Sequence, residues 1–165
     1  MPLISSLPLK RPGWQTVVIF TLTFWLSTSL VLDLVIMPGL YASGMMSQSG
    51  FATAGYLIFW VFNRVELLCA ALVLTGVLVF KRTHNVFVNQ SGKATILAMI
   101  LLTIALIFTY VLTPQMSALG LNLEIFDSVG SVPGRMNLLH ETYWILEVVK
   151  LIAGGAILSL FYREN

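Results

Sequence analysis

Apolar residues run almost without interruption through four stretches of this chain, roughly 14–37, 56–80, 94–113 and 142–162. Each is about as long as the ~20 residues an α-helix needs to cross a ~30 Å hydrocarbon layer. The breaks between them have local reasons. Pro38-Gly39 closes the first run, because proline lacks an amide donor and disfavours helix at the residue before it. A polar connection that includes Lys81, Arg82, His84, Asn85, Asn89 and Gln90 follows the second. Pro114 closes the third and opens a 26-residue connector, Pro114–Leu139. The pattern predicts an all-α protein, an integral membrane four-helix bundle that forms one domain over residues 1–165. The first run is read as an uncleaved span: it is too long for a signal core, it carries Asp33, and Leu40 stands where a cut after Ala42 would need a small residue.

The second half of the pattern echoes the first. "VIMPGLYASG" (35–44) and "VLTPQMSALG" (111–120) share Val, Pro, Ala and Gly, and Glu66, Phe80 and Arg82 recur as Glu147, Phe161 and Arg163. Two readings stay open: two parallel two-span repeats, or chance alignment of apolar helices.

Composition strengthens the membrane reading. The chain is 58% hydrophobic and only 10% charged, against roughly a quarter charged in a soluble domain, and its mean hydropathy is +0.90. A net charge of +2 with no basic stripe argues against nucleic acid as a partner. The single Cys69 excludes an internal disulfide and any CxxC site. Basic residues settle the expected orientation. Lys10, Arg11, Lys81, Arg82, Lys93 and Arg163 fall on one side, and only Arg135 on the other, beside Glu124 and Asp127. The excess of Lys and Arg on the cytoplasmic side in membrane proteins puts both termini in the cytoplasm.

The candidate chemistry is the polar cluster inside the spans: Asp33, Asn63, Arg64, Glu66, His140, Glu141, Glu147 and Lys150. A charge at the bilayer centre costs about 3 kcal/mol on insertion scales, so these groups are expected to face one another. Glu147 and Lys150, three apart, can pair on one helix. Asn63 and Glu66 share a face, whereas Arg64 and Glu66 lie about 200° apart. Arg64 is expected to reach a carboxylate on another span, Asp33 or Glu147, while Glu66 meets Lys150 or a wet pocket. His140, Trp144 and Glu147 fall on one stripe, with Glu66 and Glu147 as the floor of a pocket opening outward. Two adjacent carboxylates resist double ionisation, which would suit a proton- or cation-coupled site. Neither HxxxH nor ExxH is present, and no metal or other cofactor is expected. Ala153, Gly154, Gly155 and Ala156 form a small-residue patch that lets another helix approach.

The succession "DLVIMPGLY", "FWVFNRVELL", "VLTPQMSALG" and "RMNLLHETYWILEVVKL" resembles the transmembrane-protein-205-like family over nearly the whole chain. Pro38 matches that family's apolar-Pro-apolar motif, Pro114 and Met116 its Pro-x-Met motif, and Leu139-His140 the pair that opens its last helix. The run Asn63-Arg64-Val65-Glu66 looks like the variant of cyanobacterial and plastid members. Glu141 and Thr142 depart from the basic-then-hydroxyl pair usual after the histidine. The resemblance implies a four-helix membrane domain, in a plasma membrane or a thylakoid membrane. It supplies no settled activity, although links to metal or drug tolerance have been suggested for animal relatives.

No catalytic signature is present: no GxSxG, HExxH or Gly-rich phosphate loop. The expected function is a non-enzymatic membrane protein that assembles with a larger complex or with its own copies, its buried charges serving as clamps. The alternative is a small transporter or ion-binding protein with an outward-facing polar cavity.

Overall fold

The computed structural model describes residues 13–45, 48, 50–83, 91–125 and 134–162. Lys10, Arg11, His84, Asp127 and Arg163 lie outside them, as does Pro133. Among the described residues the chain is all-α. Helix α1 is Trp14–Ala42, α2 Phe51–Thr83, α3 residues 91–125 and α4 Gly134–Tyr162. All four are long and apolar enough to cross a membrane, and the protein is an integral membrane four-helix bundle.

The helices outrun the apolar stretches. Pro38 and Pro114 do not end spans: α1 continues to Ala42 and α3 to Ile125. The reason lies just upstream of each proline. Residues Leu32–Ile36 and Phe108–Leu112 form single π-helical turns, and in each the following amide, Met37 or Thr113, bonds back five residues instead of four. A proline inside an α-helix clashes with the carbonyl four residues earlier and leaves it without a donor. The widened turn moves that carbonyl aside, so the helix bends round the defect and continues. The two π turns stand 76 residues apart, as Pro38 and Pro114 and the two ten-residue motifs around them do, whereas Glu66 and Glu147 are 81 apart. The 26-residue connector shrinks accordingly, since most of it is helix. Gly44, with φ of 71°, reverses the chain after α1 in a conformation that residues bearing a Cβ rarely adopt.

The helices pack in ring order, α1 on α2, α2 on α3, α3 on α4, with α4 closing against α1. Burial of Val18, Leu22, Trp25, Ala70, Val73, Ala98, Leu101, Ala105, Ala153 and Ile157 makes the main core. Ala70, Ala94, Ala98, Ala105 and Ala153 are interleaved with the larger side chains; lipid tails are as apolar as leucine, so close backbone approach and van der Waals contact must hold the helices together. Of the small-residue patch, Ala153 and Gly154 serve this purpose and Gly155 does not. A Cβ on Gly154 would stand 2.8 Å from Leu26 Cδ2, whereas one on Gly155 would meet nothing within 4 Å. Gly155 is exposed on the outer face and Ala156 is half-buried. Large apolar side chains such as Phe20, Leu68 and Ile152 cover the outside, where lipid replaces water. Hydroxyls there are satisfied locally: Thr28, Thr75, Thr103 and Thr142 each donate to the carbonyl one turn back.

Candidate functional site

Half-way along the bundle the apolar core gives way to a buried polar cluster. Glu66 from α2 is 1% exposed, Lys150 from α4 1%, Glu147 2%, Asn63 2% and Asp33 6%. These five of the eight sequence candidates come together. The other three, Arg64, His140 and Glu141, lie on the outer face.

Lys150 is the hub. Its Nζ stands 2.5 Å from Glu66 Oε1 across the diagonal of the bundle and 2.6 Å from Glu147 Oε2 on its own helix, and it donates to Ser29 Oγ of α1 at 3.0 Å. The rings of Trp25 and Phe108 lie 5.9 Å and 5.4 Å from it, adding the quadrupole attraction of two aromatic faces. All four helices therefore meet at one ammonium. Glu66 is held as firmly: Trp25 Nε1 donates to its Oε1 at 2.8 Å and Ser29 Oγ at 3.3 Å. A buried ion pair offsets its desolvation only when such extra hydrogen bonds are present.

Asn63 shares the face of Glu66 and joins α2 to α3. Its Nδ2 donates to Thr113 Oγ1 at 2.6 Å and to the Phe108 carbonyl at 3.3 Å, in the π turn of α3. Thr109, in the same turn, donates to Ala105 O and, at 3.4 Å, to Asn63 O. The amide thus supplies a donor where the π turn disturbs the regular ladder. The polar face of α2 reaches all three other helices, beside its apolar packing through Ala70 and Val73.

Asp33 lies in the π turn of α1, mid-bundle and not near a helix end, because α1 runs nine residues beyond it to Ala42. It accepts a 2.8 Å hydrogen bond from Tyr143 Oη, whose ring stacks on Phe108 with centroids 4.9 Å apart. Tyr143 stands one helical turn before Glu147, so its bond to Asp33 brings the Asp33 and Glu147 carboxyl groups to the same part of the α1–α4 interface. Glu147 itself is the least satisfied member: neither carboxylate oxygen accepts a hydrogen bond from a described donor, and the Lys150 contact to Oε2 is a charge contact off hydrogen-bond geometry.

Arg64 overturns the expected inter-helix pair. It makes no ion pair among the described residues. It is exposed on the outside of α2, its guanidinium 3.5 Å above the Trp60 ring and donating to Trp60 O at 3.0 Å. The reason is the helical angle: once Asn63 and Glu66 take the interior, a residue about 200° from Glu66 must face out.

The stripe through His140, Trp144 and Glu147 also splits. The buried line of α4 runs instead through Tyr143, Glu147, Lys150 and Gly154, with Tyr143 half-buried and the rest fully so. His140 Nδ1 donates to Met136 O at 2.9 Å. With Asn137, Glu141, Trp144 and Ile145 it lines a shallow open cavity of about 500 Å³ on the outer face. None of the buried cluster lines it, so this cavity is not the expected pocket floored by Glu66 and Glu147.

Sequence reasoning missed Trp25, Ser29 and Tyr143. The signal was there: Trp25, Ser29 and Asp33 recur every four residues, one face of α1, and Tyr143 precedes Glu147 by one turn. The chain matches no family model, no curated protein and no solved structure.

Proposed function

We propose that the protein is a non-enzymatic membrane assembly protein, a member of the transmembrane-protein-205-like family on the strength of the motifs around Pro38, Pro114 and His140. It holds both termini in the cytoplasm and docks a partner helix that carries a carboxylate. The six-to-one division of basic residues supports the orientation. Reporter fusions in the connection after Thr83 should report cytoplasm, and an exterior signal there would reverse the topology.

Arg64 carries the assembly reading. Phe51–Thr83 is 33 residues, about 50 Å of helix, so a centred ~30 Å hydrocarbon layer places the Arg64 Cα roughly 10 Å inside its boundary. One guanidinium N–H group meets Trp60 O, and the other donors have no described protein acceptor. A permanent charge presented to hydrocarbon is expensive, and a bidentate carboxylate is the group its fork fits. The interior, meanwhile, ties the four helices together through Lys150, Glu66 and Asn63, as a platform requires.

The test uses a synthetic transmembrane helix of leucine and alanine with one central Glu, or one Gln, co-reconstituted with the chain in phosphatidylcholine vesicles. Energy transfer should show the Glu helix binding roughly tenfold or more tightly than the Gln helix, as close charge pairs allow. Arg64→Leu should erase the preference. Equal binding of the two helices to the wild-type chain would overturn the reading. So would a response of Arg64 to anionic lipid alone, which would make it a headgroup anchor.

A further inference from the structure

The buried cluster holds more negative groups than it can neutralise. Asp33, Glu66 and Glu147 are buried in one cluster with a single ammonium, that of Lys150. Two negative charges would be left over if every carboxyl group were ionised, in a core where the charged members are 6% exposed or less. The other titratable groups facing the cluster do not alter the count. From α4 there is the neutral Tyr143 hydroxyl, and from α2 the buried thiol of Cys69. From α3 come Phe108 and Thr109, neither of them titratable, and α1 contributes Trp25 and Ser29 besides Asp33. Arg64, the remaining cation of the mid-membrane region, is on the outside.

The position of the surplus is visible in the hydrogen bonds. Glu66 is engaged by Trp25, Ser29 and Lys150. Glu147, 2% exposed, has no hydrogen bond to either oxygen, only the charge contact of Lys150 at Oε2, and it follows by one helical turn Tyr143, the donor to Asp33. Two ionised carboxylates have only acceptors to offer each other; a hydrogen bond between them exists only when one carries a proton. We propose that Asp33 and Glu147 bind one proton between them, forming an intramembrane proton site across the α1–α4 interface. The inference goes beyond the assembly reading and does not depend on Arg64.

One shared proton leaves a single negative charge on the pair. Tyr143 Oη, donating to Asp33 Oδ1 at 2.8 Å, and Lys150, 2.6 Å from Glu147 Oε2, are placed to bear it. Release of the proton would set two like charges in contact between α1 and α4, with Asp33 in a π turn, a part of the helix where the regular ladder is already broken. The site thus couples proton occupancy to the packing of α1 on α4.

The proton itself can be observed. The purified chain in phosphatidylcholine vesicles should show the carbonyl stretch of a protonated carboxyl group in infrared difference spectra between neutral and strongly alkaline buffer, a range over which exposed carboxylates stay ionised, and the band should move in D₂O. It should disappear in Asp33→Asn and in Glu147→Gln alike, because each removes one half of the site. Absence of the band from the wild-type chain, or its survival in both variants, would overturn the proposal. If a variant loses its helical circular dichroism, Tyr143→Phe serves instead: removal of the donor to Asp33 should shift the band, and an unmoved band counts against the site. Exchange of choline chloride for sodium chloride should leave the band in place; its loss would assign the site to a metal cation.

Discussion

Lys150→Met should be the most damaging conservative-volume change in this protein. The ammonium is 1% exposed and is the counter-charge of both Glu66 and Glu147. Removing one partner of a buried pair leaves an uncompensated charge, at about 3–5 kcal/mol in soluble proteins. The methionine would also sit beside Ser29 and the rings of Trp25 and Phe108 without any donor to offer. Yield of monodisperse protein in mild detergent, read by fluorescence size-exclusion against temperature, should fall to a small fraction of wild type. The double variant Lys150→Met with Glu66→Gln should recover part of the loss, because one fewer buried carboxylate is then left without its counter-charge. A Lys150→Met chain as thermostable as wild type would show that the cluster contributes nothing to folding.

Trp25→Ala is expected to come second, at about 3 kcal/mol. Trp25 is 1% exposed in the main core and its indole donates to Glu66. Part of the penalty measured for tryptophan truncation in soluble proteins is transfer to water, which falls away where lipid surrounds the bundle. The cavity and the lost bond to a charged acceptor remain. Trp25→Phe separates the two: it keeps most of the volume and drops the donor, so it should lose roughly half as much on the same thermal assay. If Trp25→Phe were as damaging as Trp25→Ala, the hydrogen bond rather than the packing would be what α1 contributes.

The polar residues of α2 show why part of the site was legible in advance. Asn63 and Glu66 are three apart and therefore share a face, a consequence of helical pitch alone; so is the local approach of Glu147 to Lys150. Arg64 shows where such reasoning stops. The angle says that Arg64 and Glu66 face different ways, yet not which of them faces in. That choice belongs to the neighbours: α1 offers Trp25 and Ser29 to an acceptor and α4 offers a cation, so the face of α2 that carries a carboxylate turns inward. His140 and Glu147 were grouped for sharing a stripe, and a stripe is wider than the buried seam. Burial of Tyr143 and Gly154 against α1 turns α4 so that His140 stays outside.

Hydropathy alone determined the class of this protein, the number of its helices and their rough positions, because crossing hydrocarbon demands about 20 apolar residues and satisfied backbone groups whatever the neighbours are. The prolines could not be read that way. A proline ends a helix only if the carbonyl four residues earlier cannot be moved, and the π turns at Leu32–Ile36 and Phe108–Leu112 move it. Tertiary contacts stabilise those turns: Asn63 supplies donors to α3, and Tyr143 meets Asp33 in α1. The same contacts decided which charges are inside. Burial of an ionisable group is favourable only when partners from other helices arrive at the same depth, and those partners are up to 121 residues away along the chain, where no local pattern can reveal them.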